Sequence, residues 1–498
     1  MSFTDLTEVD EPRRKALKTA KVANLDKAYA TAALKSNFAT AFLSKSRSKD
    51  DSTGAEVYAS PFRHVSLPGF IDDADFIDDL IAELQSLDMQ DKNNDLYKFK
   101  QSVELKHVNT PCIKAFRNVL QGQVLPWLHD ITAFPLNNKI DMFCSNYDYT
   151  DTLLCHDDEL EERHIAFIYY LVPASWSKED GGTLDLFDAD DKGQPNSIVK
   201  SILPVQNQFV FFEVTPASFH QVSEVLTEEK TRLAISGWFH GPPIARPQPY
   251  TEPAIPISSC GGIEEMVFFD WINPVYISQE IQNDIRERFE SESELELSDF
   301  LKDEKYEELV AAMQSDDRAW THRGPPNKRN YDVCKAENLP AVAQTFAQIL
   351  RSDAMFLLLS SMTGLQLHDN PAADAEGVAN GSDAKGDTAK CRVEAQRFQH
   401  GSYTLLHDTD PHAGEMALDL VFFLGGAEWS MDCGGYISYV AKGEDDELLS
   451  VSPAPNSLAL VYKDRETLRF TKHINHRVTK AKEPQYCTIA ASYYENAD

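Results

Sequence analysis

A chain of 498 residues, 42% apolar and 10% aromatic, carries enough hydrophobic mass for two packed domains of about 240 residues each. Its formal charge of −32 argues against the basic surface that holds nucleic-acid phosphates, so direct nucleic-acid binding is not expected; the charge fits a preference for basic partners, although a generally acidic solvated surface is the commoner explanation. No apolar run approaches the roughly 20 residues of a membrane span. Eight cysteines without a C-x-x-C pair, and a start without an apolar signal core, predict reduced thiols in the cytoplasm or nucleus.

Residues 1–43 are Ala- and Lys-rich. Their basic group, Arg13-Arg14-Lys15 with Lys18 and Lys21, reads equally as a nuclear-import signal or as a solvated helical face. Ser44 to Gly54 is polar and reads as a mobile connector. A helix is predicted to open at Phe70-Ile71-Asp72-Asp73, with Phe76, Ile77, Leu80, Ile81 and Leu84 forming one apolar stripe. A second helix is predicted from Ile113 to His129, with a break at Pro126. From Ile140 the pattern becomes β-like up to His240, so helices buttressing one sheet of a barrel or sandwich are expected, in a mainly β, α+β chain.

Within those strands four residues stand out: His156 and Asp158 in an H-x-D pair, His220 after the apolar run Phe209–Phe212, and Arg232 in a second apolar run. Two imidazoles and a carboxylate can take one face of an octahedral Fe(II), leaving three positions for a chelating co-substrate and O₂. A downstream guanidinium suits the far carboxylate of a dicarboxylate such as 2-oxoglutarate. H-x-D alone is a weak signal, and each histidine taken singly is more often a satisfied core or surface residue. Strand alternation strengthens it by placing Arg232, Ala234, Ser236 and Trp238 on one face and turning Tyr170 toward the same interior. Alternation also turns Asp157 away from His156. Tyr147 is a further candidate beside Arg232, although Tyr149 offers the same chemistry. His164, His240 and His407 are assigned to structure or surface.

Prolines at 242, 243, 247, 249, 253 and 256 mark an extended joint, giving domains at 1–240 and 264–498 with a linker at 241–263. The second half repeats the first in outline. Helical, acidic sequence from Ser278 to about Gln314 precedes a helix around Ala341 to Met362 and a low-complexity insert, Asn370 to Lys390, predicted to be disordered. The acidic run Glu290–Glu308 reads as a solvated helical face. Leu405-Leu406-His407-Asp408 then echoes Leu153–Asp157, Trp429 with Gly434-Gly435 mirrors Trp176 with Gly181-Gly182, and His476 is the expected mirror of His220. The H-x-D spacing is lost at His407 because the acids stand at Asp408 and Asp410. Phe423 replaces Tyr170 and the strand Tyr486–Tyr493 has no arginine, so the second copy is expected to be catalytically degenerate.

Leu154 to Leu160, Ile165 to Pro173, Gly181 to Leu186, Ser218 to Ser223 and Ser236 to Pro242 together resemble the eukaryotic prolyl hydroxylases that modify a small-subunit ribosomal protein at the decoding centre. The resemblance is dense from about 90 to 245 and looser afterwards. It implies two tandem double-stranded β-helix domains, the second without metal. It implies iron at His156, Asp158 and His220, and the distal carboxylate of 2-oxoglutarate at Arg232 and Tyr170, with Tyr147 nearby. The reaction it implies is 3-hydroxylation of a prolyl residue, with a second hydroxyl added by some members, and with ascorbate as a reductant. The competing readings are a same-cofactor hydroxylase of another target, and a scaffold for translation or degradation factors.

Overall fold

The long strands of this chain alternate apolar side chains on both faces, which is the pattern of a sheet covered by helices on one side and closed over a lumen on the other. The computed structural model describes residues 21–158, 162–245, 247–248, 250–253, 257–314, 320–368, 390–406, 417–444 and 446–494. The basic group at 13–18, the insert from Asn370 to 389, and His407, Asp408 and Asp410 lie outside the described residues. The chain divides into two compact units, 1–250 and 251–498.

The first unit contains strands β1 (Ser48–Lys49), β2 (Glu56–Tyr58), β3 (His64–Pro68), β4 (Met89–Asn93), β5 (Tyr97–Ser102), β6 (Ile140–Tyr147), β7 (Thr152–His156), β8 (Arg163–Tyr170), β9 (Leu184–Ala189), β10 (Pro195–Ile202), β11 (Gln208–Glu213), β12 (His220–Val222) and β13 (Arg232–His240). They form one antiparallel ladder in the order β1-β2-β3-β11-β8-β13-β6-β5-β7-β12-β9-β10, with β4 on β5. Because β5 pairs with both β6 and β7, it carries the ladder from the large sheet round to the small one, and the result is a double-stranded β-helix. Phe167, Tyr169, Phe209, Phe211, Leu233 and Ile235 point outward into the helix-covered core. Their neighbours Ala166, Ile168, Tyr170, Val210, Phe212 and Ala234 line the lumen. Strands therefore begin well before Ile140, and the expected connector at 44–54 contains β1. Its turn is held by the Asp50 carboxylate, which accepts from the Thr53 amide at 2.9 Å.

The helix predicted after Phe70 spans Ala74–Gln85, and the Asp73 carboxylate caps it by accepting from the Phe76 amide. The second helix is not broken at Pro126. It runs Pro111–Val119, then a π-turn Leu120–Val124, then Leu125–Thr132. The wider turn just ahead of Pro126 accommodates a residue that has no N–H to offer the preceding turn. The start of this helix is capped from a distance: the buried Glu83 carboxylate accepts from the amides of Cys112 (2.9 and 3.0 Å) and Ile113 (3.1 Å).

The second unit is built alike. Its large sheet runs Glu294–Leu297, Leu458–Lys463, Ala417–Leu424, Gln485–Tyr494, Lys390–Gln399, Arg329–Cys334 and Trp320–Arg323, and its small one joins Glu447–Val451, Ile437–Ala441 and Thr467–Thr471. The acidic stretch expected to be helical throughout is two helices, Gln279–Glu292 and Asp303–Gln314, split by the strand Glu294–Leu297. Leu295 and Leu297 of that strand are buried, and this burial is what draws the segment into the sheet. The predicted helix at 341–362 is likewise two, Ala341–Leu350 and Asp353–Thr363, because the Ser352 hydroxyl caps a fresh start. Among the described residues, no helix is long and apolar enough to cross a membrane.

The Glu83 cap yields a prediction. Charge-assisted bonds to a helix N-terminus are worth about 2–3 kcal/mol together, so Glu83→Ala lowers the urea midpoint correspondingly while Glu83→Gln, which keeps an acceptor oxygen, recovers part of it. An unchanged midpoint for Glu83→Ala would show the cap to be dispensable.

Candidate active site

His156 ends β7 and His220 opens β12, and the two are direct partners across that antiparallel pair. Cross-strand partners project to the same face, which brings the ring centroids to 4.2 Å. Each Nδ1 faces a main-chain carbonyl, His156 that of Leu154 at 2.8 Å and His220 that of Ser218 at 2.9 Å. Those bonds assign the proton to Nδ1 and leave both Nε2 lone pairs for a ligand. Asp158 supplies the third arm. Its Oδ1 lies 3.4 Å from His156 Nε2 and its Oδ2 lies 3.4 Å from His220 Nε2.

Strand alternation does not explain this set, because β7 stops at His156. Asp158 is instead swung back by a left-handed backbone, φ +61°. A non-glycine residue in that region is uncommon, and its occurrence at a candidate ligand position points to a functional constraint. Burial opposes the charged form of Asp158, yet the two imidazoles beside it hold its carboxyl well below the ordinary range. Burial likewise opposes protonation of His156, and Asp158 overcomes it, raising the imidazole above its usual value. The donor set, two imidazoles and one carboxylate on one face, fits Fe(II) with open positions.

Arg232 begins β13 at the position paired with Tyr147, and Tyr170 pairs with Ala234 two residues on. The guanidinium carbon therefore sits 5.1 Å from both phenol rings. Arg232 is 1% exposed, and its Nε donates to the Gly182 carbonyl at 2.6 Å. Its Nη2 and the Tyr170 hydroxyl are buried without partners. Burial pushes the Tyr170 phenol up to about 12, with Arg232 opposing, so the hydroxyl keeps its proton as a donor. Burial raises the Tyr147 phenol too. Two orphaned donors side by side in a dry pocket match the distal carboxylate of a dicarboxylate.

Residues not singled out from the sequence complete the wall. Gly182 has φ +65°, and a Cβ there would stand 2.8 Å from Arg232 Cδ. Phe212 meets His220 edge-on at 4.6 Å. Arg163 donates from Nη1 to the Asp158 carbonyl at 3.3 Å and stacks on Trp238, 3.5 Å from the ring centroid. Alternation along β8 places Arg163 on the outer face. A register shift against β13 between Phe239 and His240 turns it inward, and no sequence pattern announces that shift. His164 and His240 are structural, facing the Pro242 carbonyl and Asp141 respectively, each at 2.8 Å.

The second unit repeats this scaffold position by position. Gly434 and Gly435 have φ +74° and +76°, and Trp429 Nε1 donates to the Gly434 carbonyl as Trp176 Nε1 does to that of Gly181. Counting from that anchor, Tyr439 pairs with Arg469 as Leu186 pairs with His220. Arg469 therefore holds the His220 position, and the expected match to His476 is wrong: His476 lies beyond the strand in a 3-10 helix, His476–Lys480. Phe423 pairs with Thr488 as Tyr170 pairs with Ala234, which puts Tyr486 in the Arg232 position. The Tyr486 hydroxyl donates to the Gly435 carbonyl as Arg232 does to that of Gly182. Arg469 pairs with the buried Asp419 at 2.7 Å. A guanidinium and a phenol thus stand where a metal-binding imidazole and a carboxylate-binding arginine would be needed.

Comparison with known proteins agrees with this division. Residues 142–240 match the 2OG-Fe(II) oxygenase superfamily, and residues 264–497 match the oxoglutarate and iron-dependent oxygenase degradation C-terminal family. The chain is 46% identical to prolyl 3-hydroxylase OGFOD1 of Mus musculus, over 84% of this chain and 85% of the relative. It is 46% identical to the Xenopus laevis protein of that name, over 87% and 88%. Prolyl 3-hydroxylase sudestada1 of Drosophila melanogaster is 34% identical over 98% and 95%. The chain belongs to the 2-oxoglutarate- and iron-dependent prolyl 3-hydroxylase family.

Proposed function

We propose that this enzyme hydroxylates C3 of a prolyl residue in a small-subunit ribosomal protein, with iron held by His156, Asp158 and His220. The observation that carries the site assignment is the pair of orphaned donors, Arg232 Nη2 and the Tyr170 hydroxyl, buried beside a His₂Asp set. Arg232 and Tyr170 grip the distal carboxylate of 2-oxoglutarate, with Tyr147 packed against the guanidinium as an apolar and π-rich wall. When bound, iron and 2-oxoglutarate would supply the oxidising power for placing one atom of O₂ on the prolyl ring, with succinate and CO₂ as co-products.

The chain's own contribution is position and dryness. The carbonyls of Leu154 and Ser218 keep Nδ1 protonated and each Nε2 free. Phe212, Ile168, Leu186 and Ala234 exclude water around the reacting centre. The charge of −32 suits a basic ribosomal protein as target, and the family resemblance supports that choice of substrate. Eight cysteines outside any disulfide suit action in the reducing cytoplasm and nucleus, with ascorbate restoring iron after uncoupled turnovers. Succinate release against a panel of small-subunit ribosomal peptides, followed by mass spectrometry, tests the reading. One or two added oxygens on a proline support it, and oxygen on a lysine or on no peptide defeats it.

Replacing His156, Asp158 or His220 with Ala abolishes turnover and weakens iron binding without unfolding the chain; calorimetric iron affinity unchanged in all three variants would remove the proposed metal set. Arg232→Ala weakens 2-oxoglutarate by one to two orders of magnitude while sparing iron, since a buried charge-assisted bond contributes roughly 1.5–3 kcal/mol. Tyr170→Phe acts in the same direction but less. Gly182→Ala mimics Arg232→Ala, because the new methyl displaces the guanidinium stem and sits at a positive φ. Equal losses of both ligands in titrations of Arg232→Ala would assign that arginine to the fold alone.

A further inference from the structure

Among the described residues, a second set of three metal-type donors converges in the unit 251–498. The Cys260 thiol, the Asp353 carboxylate and the His368 imidazole present ligand atoms within 4.8 Å of one another. His368 Nε2 and Asp353 Oδ1 are 3.9 Å apart, too far for a hydrogen bond and close to the separation of about 3.4 Å between two ligands on one tetrahedral ion.

The convergence is imposed by the main chain. Ser258 and Ser259 pair with Cys391 and Lys390, which fixes the backbone on one side of Cys260. On the other side Gly261 bridges Ser352: its N–H donates to the Arg351 carbonyl at 3.0 Å, and its carbonyl accepts from the Asp353 N–H at 3.0 Å. Those bonds lock Cys260 to the first turn of the helix Asp353–Thr363. His368 follows Leu367, which is fully buried and anchors the third ligand. Three segments distant in sequence therefore carry S, O and N donors to one spot on a rigid frame, the arrangement a bound ion needs. All three are partly exposed, which leaves an entry path and room for a water as fourth ligand.

We propose that Cys260, Asp353 and His368 form a second metal site, for a borderline divalent ion of the zinc class, which fastens the segment entering the second unit to the helix Asp353–Thr363. A sulfur donor disfavours Mg²⁺ and Ca²⁺, which take oxygen ligands. On binding, the thiol S–H bond breaks, its proton goes to solvent, and the thiolate, one carboxylate oxygen and one ring nitrogen bond the ion. The His₂Asp set of the first unit has no sulfur, so the two sites are spectroscopically distinct.

Cobalt titration of the full-length protein, stripped with a chelator, tests the proposal. A sulfur-to-cobalt charge-transfer band should rise to one equivalent per chain and be bleached by Zn(II). Cys260→Ser should abolish it. His368→Ala and Asp353→Asn should each weaken cobalt by at least about tenfold. Iron-loaded turnover should stay unchanged in all three variants, because none of these residues belongs to the first site. No band, a band that survives Cys260→Ser, or wild-type cobalt affinity in both His368→Ala and Asp353→Asn would overturn the site, the last by showing a lone thiol collecting cobalt.

Discussion

A guanidinium held out of water is the constraint on which the first unit depends. A buried charge is tolerated only where hydrogen bonds and nearby polarisable groups offset its lost hydration. Arg232 has one strong main-chain bond, to Gly182, and two phenol rings at 5.1 Å, with Nη2 left open. That incomplete satisfaction explains the surrounding design. Strand β13 lies between β8 and β6, so both tyrosines reach the arginine by simple pairing register. The Gly181-Gly182 turn approaches closely because neither residue has a side chain to fend it off.

The proposed metal set obeys a different geometry at the small sheet. His156 and His220 meet as cross-strand partners, and Asp158 reaches them only through its left-handed backbone. Arg163, stacked on Trp238, holds the carbonyl of that same residue. One site thus joins a ladder-determined half, which pairing sets, to a loop-determined half, which a single strained residue sets.

Much of this was legible before any coordinates. Period-two alternation suffices to put Arg232, Tyr170 and Trp238 on one lumen face, since a strand buried on both sides has no freedom to rotate. The helix stripe from Phe76 to Leu84 was equally readable. The misses lie where a local feature overrides the pattern expected for the segment. Arg163 turns inward at a register shift, Pro126 is absorbed by a π-turn, and the acidic stretch near Glu294 is drawn into a sheet by two leucines. The false match of His476 to His220 came from residue type. Only pairing register shows that Arg469 stands there.

The bond from Tyr486 to the Gly435 carbonyl separates a structural task of the Arg232 position from the binding task proposed for it. The second barrel, which has Tyr486 here, also places a donor at this position, directed at the same carbonyl of the same paired-glycine turn. Closing that turn is therefore a demand common to both barrels, and binding a carboxylate, the role proposed for Arg232, is a separate one. Any side chain reaching the carbonyl meets the first demand, whereas only a second, outward-facing donor meets the other. The two copies separate, within one polypeptide, what the fold demands from what catalysis demands.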